Sequence, residues 1–268
     1  MVPRIHLHVL ASGSKGNATL VEGPDGLVLV DCGISNRELG RRAGRLGLDL
    51  GRLRGVLVTH EHSDHVSGLS VLRNRFDGPM LATAGTVGGR PYLPELGFQI
   101  IGRSDSFELA GMRVRSFPTF HDVGDPVGYR FEAGGDVVGL CTDTGVLGDE
   151  AMDALHGARV LALESNHDPQ MLRTGRYPAQ LKERVAGERG HLSNEQAADA
   201  LRELVTPDTE CVVGMHLSQD NNRPSLCVRA LAAAVGARQA DTTFTEARTP
   251  DGHLSVCVAS QVEPRSIW

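Results

Sequence analysis

The segment VLVTHEHSDHVSGL, residues 56–69, joins an apolar run to a cluster of histidines and carboxylates. Residues 56–58 have the composition of a buried β-strand, and the next positions include His60, His62, Asp64 and His65. Alternate residues of an extended segment point to the same side, so His60 and His62 can bind one ion. Asp64 and His65, in the turn that opens the next helix, can bind a second. Because imidazole and carboxylate donors suit zinc, iron and manganese, a metal site is favoured over a solvated histidine-rich loop.

Further residues of ligand type end other strand-like runs. Asp31 ends LVLVD, His121 ends RVRSFPTFH, Asp143 ends DVVGLCTD and His216 ends ECVVGMH. Taken singly, each has an ordinary explanation, since aspartate forms turns and a lone histidine is commonly a hydrogen-bonded group. Their shared position after an apolar strand makes them candidates for the remaining ligands. Two ions roughly 3.5–4 Å apart can hold a hydroxide between them and stabilise the attacking and leaving oxygens.

The composition is that of a globular protein, with 40% hydrophobic and 22% charged residues among 268. The net charge of −6 argues against general adhesion to nucleic acid or membranes, although a local basic groove remains open. Aromatic residues make up only 4%, which argues against an extensive base-stacking surface. The five cysteines are scattered without a C-x-x-C motif, and neither a signal peptide nor a membrane-spanning run is evident. We therefore expect a cytoplasmic protein with reduced cysteines and no membrane partner.

Strand-rich stretches precede an alternation of helices and strands, which predicts an α/β or α+β layered fold in one domain over residues 1–268. The predicted strands and hairpins cover 4–12, 19–33, 55–60, 78–86, 107–141, 159–166, 210–218 and 242–259. The predicted helices cover 36–49, 67–76, 149–157, most of 168–205, and 224–237.

The ligand set in this chain order resembles the metallo-β-lactamase superfamily over essentially the whole chain. The resemblance implies a four-layer αββα sandwich with the metals at one edge between the two sheets. It assigns His60, His62 and His121 to the first ion, Asp64, His65 and His216 to the second, and Asp143 to both. Asp31 would orient a ligand through hydrogen bonds. Two divalent ions are therefore expected as cofactors, with zinc favoured over manganese or iron.

Within the superfamily, several motifs resemble the YycJ/WalJ group, including SGSKGNATLVE, FHDVGDPVGYRF and LALESNHDPQML. Aspartate rather than cysteine at position 143 argues against a secreted antibiotic-hydrolysing enzyme. The interval from Asp143 to His216 is too short for the inserted domain of β-CASP nucleases. The group implies a nuclease, specifically a 5′-to-3′ exonuclease acting on DNA. A tRNase Z-like RNA-processing nuclease, a hydrolase of small esters, thioesters or phosphodiesters, and a metal-stabilised protein without turnover remain alternatives.

The resemblance to tRNase Z extends to LALE and GHLS and supplies two catalytic candidates. In this mechanism, Asp64 and Asp143 hold the attacking hydroxide and accept its proton. His191 is the general acid for the leaving oxygen, and Glu164 orients it. The alternatives are that HLSN only caps a helix and that Glu164 forms a structural ion pair.

Phosphate contacts are expected from small polar loops. The loop SGSKGN offers Ser12, Ser14, Lys15 and Asn17 as an anion-binding nest, and Asn166 lies two residues past Glu164. Further polar candidates follow the last ligand or lie in 173–189; they are Asn221, Asn222, Arg223, Arg173, Arg176, Lys182, Arg184 and Arg189. The basic residues of 173–189 fit a nucleic-acid backbone and an ordinary solvated helix face equally well. Nucleic acid, DNA in particular, is the expected partner; protein partners and homo-oligomerisation stay open.

Overall fold

This computed structural model describes residues 5–268, which divide into two compact units. The first unit comprises 5–118, 123–136 and 260–268, and the second comprises 119–122 and 137–259. The strands, in chain order, are β1 (His6–Ala11), β2 (Ala18–Gly23), β3 (Gly26–Val30), β4 (Leu53–Leu57), β5 (Met80–Thr83), β6 (Gln99–Ile101), β7 (Ser106–Leu109), β8 (Met112–Pro118), β9 (Val127–Ala133), β10 (Asp136–Cys141), β11 (Val160–Glu164), β12 (Cys211–Met215), β13 (Arg238–Gln239), β14 (Glu246–Arg248), β15 (Ser255–Val258) and β16 (Arg265–Ile267). The α-helices are α1 (Asn36–Arg45), α2 (Ser63–Val66), α3 (Leu69–Arg73), α4 (Ala84–Gly88), α5 (Asp149–Leu155), α6 (Pro169–Thr174), α7 (Ala179–Ala186), α8 (Asn194–Leu204) and α9 (Pro224–Val235), with 3₁₀ turns at Leu50–Arg52 and Pro94–Leu96.

The first unit contains a sheet with the strand order β16-β1-β2-β3-β4-β5-β6. The strands from β16 to β3 pair antiparallel, whereas β3 to β6 pair parallel. Every residue of β3 is buried, as expected for a strand with both faces covered. β7, β8 and β9 form an antiparallel meander in the same unit. Because β3 and β4 run parallel, the residues that follow them emerge at the same edge of the sheet.

In the second unit, β10, β11, β12 and β15 are neighbours in that order and run parallel. β14 and β13 extend this sheet antiparallel beyond β15. The residues that follow β10, β11 and β12 therefore emerge side by side at one edge of this sheet. α8 begins with a capping box in which Ser193 and Gln196 exchange side-chain-to-backbone hydrogen bonds, so the predicted capping role of HLSN is confirmed.

The predicted elements agree with the structure in most places, including the hairpin β2–β3 and the closing hairpin β14–β15. The first predicted strand begins at Arg4, which lies outside the described residues. The predicted strand over 78–86 was wrong in its second half, because Thr83 ends β5 and its side chain accepts a hydrogen bond from Thr86 to cap α4. β6 was missed, since it has only three residues, which is too short a run to show a strand pattern.

The five cysteines are all buried, the use as small apolar residues that the composition indicated. Within residues 5–268, no helix combines the length and the apolar composition that crossing a bilayer requires. The prediction of one domain over residues 1–268 stays a prediction.

Candidate functional site

Three of the predicted site residues have a left-handed backbone. Asp31, Asp143 and His216 have φ of 59°, 57° and 52°, and they lie just beyond β3, β10 and β12. A non-glycine residue in this region carries strain of about 1–3 kcal/mol, and such strain clusters at functional sites. The sharp turn directs these side chains away from the strands that carry them. Three of the four candidates that follow an apolar strand thus share one backbone conformation, whereas His121 does not adopt it.

In the first unit, the structure brings together His60, His62, Asp64 and His65, which we call the first ligand set. The ring centroids of His60 and His65 lie 4.0 Å apart, and those of His60 and His62 lie 4.9 Å apart. The Nε2 atom of His65 is 3.6 Å from an Asp64 carboxylate oxygen. α2 begins at Ser63, so Asp64 and His65 lie in the predicted turn that opens a helix. His60 and His65 are buried, whereas His62 and Asp64 are partly exposed.

Asp31 and Thr59 fix the orientation of this set. The Asp31 Oδ2 atom lies 2.8 Å from His65 Nδ1, and Oδ1 accepts a hydrogen bond from the Thr59 amide. The Thr59 hydroxyl donates to Asp31 at 2.9 Å and lies 3.0 Å from His60 Nδ1. With Nδ1–H of His65 donated to a carboxylate, Nε2 carries the lone pair, and in this structure the Asn17 side-chain nitrogen lies 2.9 Å from it. Sequence reasoning missed Thr59, whose only signal is its position between the strand and the first ligand.

The loop of residues 12–17 is organised by Asn17. Its Oδ1 accepts a hydrogen bond from the Gly13 amide at 2.8 Å, and its Nδ2 lies 2.9 Å from His65 Nε2 and 3.3 Å from an Asp64 carboxylate oxygen. Its amide also donates to the Asp64 carbonyl. Asn17 is therefore a support for the first ligand set. Of the other nest candidates, Ser14 and Lys15 are exposed and Ser12 is buried, and their phosphate role stays a prediction.

In the second unit, the structure brings together His121, Asp143 and His216, which we call the second ligand set. The His216 Nδ1 atom is 3.3 Å and the His121 Nε2 atom 3.9 Å from Asp143 carboxylate oxygens. His121, Asp143 and His191 each offer one donor atom within 4.8 Å of the others. The Nδ1 atom of His121 lies 3.0 Å from the Gly190 carbonyl, which leaves Nε2 directed toward Asp143. All three members of the set are buried.

Glu164 and His191 form a close pair beside the second ligand set. Glu164 ends β11 and is 0% exposed, and its Oε1 atom lies 2.7 Å from His191 Nδ1. Its Oε2 atom accepts hydrogen bonds from the amides of Thr144 and Leu192, at 2.9 and 3.2 Å. The carboxylate is thus held from three sides. The nitrogen of His191 that lies 3.7 Å from Asp143 is the one bonded to Glu164, which favours a hydrogen-bonding role for this nitrogen over metal ligation.

Asn166 and Asn222 connect the segments that carry His191 and His216. The Asn166 side chain donates to the His216 carbonyl at 2.9 Å, and its amide donates to the Leu192 carbonyl. The buried Asn222 side chain donates to the carbonyls of Ser165 and Asn166. These contacts give both asparagines a positioning role that sequence reasoning missed, because only the fold brings 165, 191 and 222 together. Their predicted phosphate role stays a prediction.

Both ligand sets suit divalent metal ions. Each consists of imidazole and carboxylate donors, and no softer ligand is needed. His65 and His121 each have their second ring nitrogen against an oxygen acceptor, Asp31 and the Gly190 carbonyl. Such outer contacts commonly hold metal-binding histidines in place.

Residues 27–217 match the family model described as the beta-lactamase superfamily domain, and this range contains every predicted ligand. The chain belongs to the metallo-β-lactamase superfamily. It is a hydrolase with the mixed α/β fold of that superfamily, so the fold class predicted from the sequence is confirmed.

Two relatives belong to the YycJ/WalJ group, which the sequence motifs resemble. The chain is 37% identical over 226 residues to the exodeoxyribonuclease YycJ of Bacillus anthracis, covering 83% of this chain and 86% of the relative. It is 32% identical over 220 residues to the exodeoxyribonuclease WalJ of Streptococcus pneumoniae, covering 80% and 82%. Both alignments confirm the relationship that the motifs indicated.

Among solved structures, the metallo-β-lactamase fold protein YhfI of Bacillus subtilis has a TM-score of 0.71 with full coverage of both chains. The sequence identity of 14% limits this similarity to the fold.

Proposed function

We propose that this chain is a divalent-metal-dependent nuclease, specifically a 5′-to-3′ exonuclease acting on DNA. The observation that carries the proposal is the Glu164–His191 pair, which lies against Asp143 of the second ligand set. The leaving group in phosphodiester hydrolysis is a sugar alkoxide, which needs a proton. A histidine held by a buried carboxylate can supply it. The names of both relatives, exodeoxyribonuclease, support the same reaction class.

The two ligand sets would hold the metals in the arrangement that the family implies. His60, His62 and His121 would bind one ion, Asp64, His65 and His216 the other, and Asp143 both. Such ions activate water and neutralise charge on the phosphate. Zinc is the favoured metal, with manganese and iron as the alternatives, because all three accept nitrogen and oxygen donors.

The side chains would divide the proton transfers between them. A carboxylate oxygen of Asp64 or Asp143 would accept the proton of the attacking water. His191 would donate a proton to the leaving oxygen, while Glu164 would keep the ring oriented and stabilise its positive charge. The three hydrogen bonds to Glu164 support this role, since they hold the carboxylate in place before the reaction begins.

RNA is the second candidate substrate. The GHLS motif and its contact with Glu164 resemble tRNase Z, and this pair would serve cleavage of either sugar backbone. Small phosphodiesters, esters and thioesters form the remaining alternative.

The deciding experiment incubates the purified protein, loaded with a defined metal, with single- and double-stranded DNA and RNA labelled at the 5′ or the 3′ end. We expect metal-dependent degradation of DNA, with release of the 5′ label as mononucleotide. Asp64→Ala should abolish it, whereas Asp199→Ala is the matched control because its side chain is 75% exposed on α8. Degradation of RNA alone would favour the second candidate. Intact strands of every kind, with both metals bound, would exclude the nuclease proposal and direct the search to small esters.

A further inference from the structure

Phe120 is an exposed aromatic residue directly beside a predicted metal ligand. Its side chain is 40% exposed, and the next residue along the chain is His121. Within residues 5–268, only Phe120 and Trp268 are exposed aromatic side chains. Single exposed apolar side chains are common on protein surfaces, so the position of this ring next to a predicted metal ligand is what makes it a candidate for substrate contact.

The main chain of Phe120 is held rigidly against the loop that follows Asp143. Its amide donates to the Thr144 hydroxyl at 3.0 Å, and its carbonyl accepts a hydrogen bond from the Gly145 amide at 2.9 Å. Thr144 in turn donates its amide to Glu164. The ring is therefore attached to the same segments that position Asp143 and Glu164.

The ring lies close to the backbone at Gly148. A Cβ atom at position 148 would come within 2.9 Å of the ring edge, so any larger residue would displace the phenylalanine. One part of the ring thus packs on the backbone of its own unit, and the rest faces solvent. This arrangement leaves π surface available to a flat partner.

The residue that follows His121 along the chain, Asp122, holds the side chain of Arg184. The guanidinium of Arg184 binds an Asp122 carboxylate oxygen at 2.6 Å, and the Arg184 side chain is 59% exposed. The hydrogen bond to Asp122 raises the pKa of Arg184 above its ordinary value, and a guanidinium is charged at physiological pH in any case. The surface beside His121 therefore offers an exposed aromatic ring, and the next residue along the chain holds an exposed arginine in an ion pair. The ring is the feature suited to a nucleobase.

We infer that the Phe120 ring stacks on an unpaired nucleobase of the strand bound at this site, next to the phosphodiester that is cut. This inference rests on the proposed nuclease function and specifies its substrate as a strand with an unpaired end. Stacking on an aromatic ring tolerates any base, because every base has a π face. It would position the terminal nucleotide without reading its sequence.

The test compares Phe120→Ala, Phe120→Leu and Phe120→Trp with the wild type, and Trp268→Ala is the matched control. Each protein cleaves two oligonucleotides that differ only in having a base or an abasic residue at the cleaved end. Loss of one stacked base corresponds to about 5- to 150-fold in affinity. We expect Phe120→Ala and Phe120→Leu to raise KM about tenfold for the first substrate, with kcat retained. On the abasic substrate they should match the wild type, and Phe120→Trp should retain the low KM on the first.

A second readout needs no turnover. Metal-free protein in EDTA is titrated into an oligonucleotide with 2-aminopurine at its terminal position, whose fluorescence a stacked aromatic ring quenches. The wild type and Phe120→Trp should quench it, and Phe120→Ala and Phe120→Leu should not.

The outcomes separate this inference from the proposed function. If the wild type cleaves DNA while Phe120→Ala matches it on both substrates, the inference fails and the nuclease function stands. An equal fall of kcat on both substrates would mean that the change disturbs His121, and it would also contradict stacking. If the wild type cleaves no strand, both fail together.

Discussion

The two ligand sets offer the same kinds of donor atom, but the fold brings their residues together in different ways. The first set comes from a single run of six residues after one strand, and its members are neighbours in sequence. The second set, with its Glu164–His191 partner, is collected from the ends of three adjacent parallel strands and two loops. The geometry of the first ligand set depends on one turn, whereas that of the second depends on the topology of a whole sheet. The two sets should therefore respond differently to substitution.

The largest effects are expected from the carboxylates that the family assigns to the metals. Asp64→Ala and Asp143→Ala should each lower nuclease activity by about 10²–10⁴-fold, because metal ions contribute several kcal/mol of charge stabilisation. Metal analysis should distinguish them. Asp64→Ala should retain about one ion per chain, whereas Asp143→Ala should lose both, since Asp143 serves both in the family arrangement. Two ions bound to Asp143→Ala would contradict the bridging role.

The next prediction distinguishes proton donation from metal binding at the second ligand set. His191→Asn and Glu164→Gln should lower kcat by about 10²-fold on DNA, the usual contribution of general acid catalysis, with metal content unchanged. A 4-nitrophenyl phosphodiester needs no proton on its leaving group, so the loss should nearly vanish on that substrate. Equal losses on both substrates would refute the general-acid role of His191.

A smaller effect is expected from substitution of Asp31, which holds His65 of the first ligand set in place. Asp31→Asn keeps a hydrogen-bonding side chain but removes the charge that faces His65 Nδ1, and asparagine tolerates the left-handed backbone at this position. Chelator competition should show metal affinity about 10- to 100-fold weaker. Asp199→Asn should leave it unchanged. An unaltered affinity in Asp31→Asn would show that backbone geometry alone orients His65.

The contrast between the sets also explains what the sequence could reveal. The first set was evident from spacing, because a strand followed by H-x-H-x-D-H needs no long-range information. Asp143 and His216 were found only through the shared pattern of an apolar strand and a ligand, which the left-handed backbone at both positions now explains. Thr59 and Asn222 had no such pattern, and only tertiary contacts reveal their positioning roles.

The same reasoning applies to the fold. Buried strands such as β3, β11 and β12 are continuous apolar runs and were predicted. The exposed strand β6 and the short helix α4 were not, because pairing and a side-chain cap determine them. The loop of 12–17 illustrates the limit for function, since its composition suggested an anion nest but gave no sign that the Asn17 side chain contacts His65.

The smallest predicted effect concerns His167, a buried histidine near the second ligand set. His65 faces Asp31, whereas no hydrogen-bond partner for His167 Nδ1 is found among the described residues. His167 is 3% exposed, and burial lowers its pKa from 6.5 to about 4. The unfolded chain therefore binds a proton below pH 6.5 that the folded chain binds only near pH 4, so this group makes the protein less stable as the pH falls through that window.

Between pH 7 and pH 5.5, His167 should remove about 1 kcal/mol of unfolding free energy. His167→Leu should lack this contribution, so its stability should fall less steeply than that of the wild type over the same interval. Urea denaturation of metal-free protein at both pH values measures the difference and avoids any effect of acid on metal binding. His253→Leu is the control, because this histidine is exposed and should leave the slope unchanged. Parallel stability curves for His167→Leu and the wild type would show that the His167 ring is protonated in the folded state as readily as in the unfolded chain.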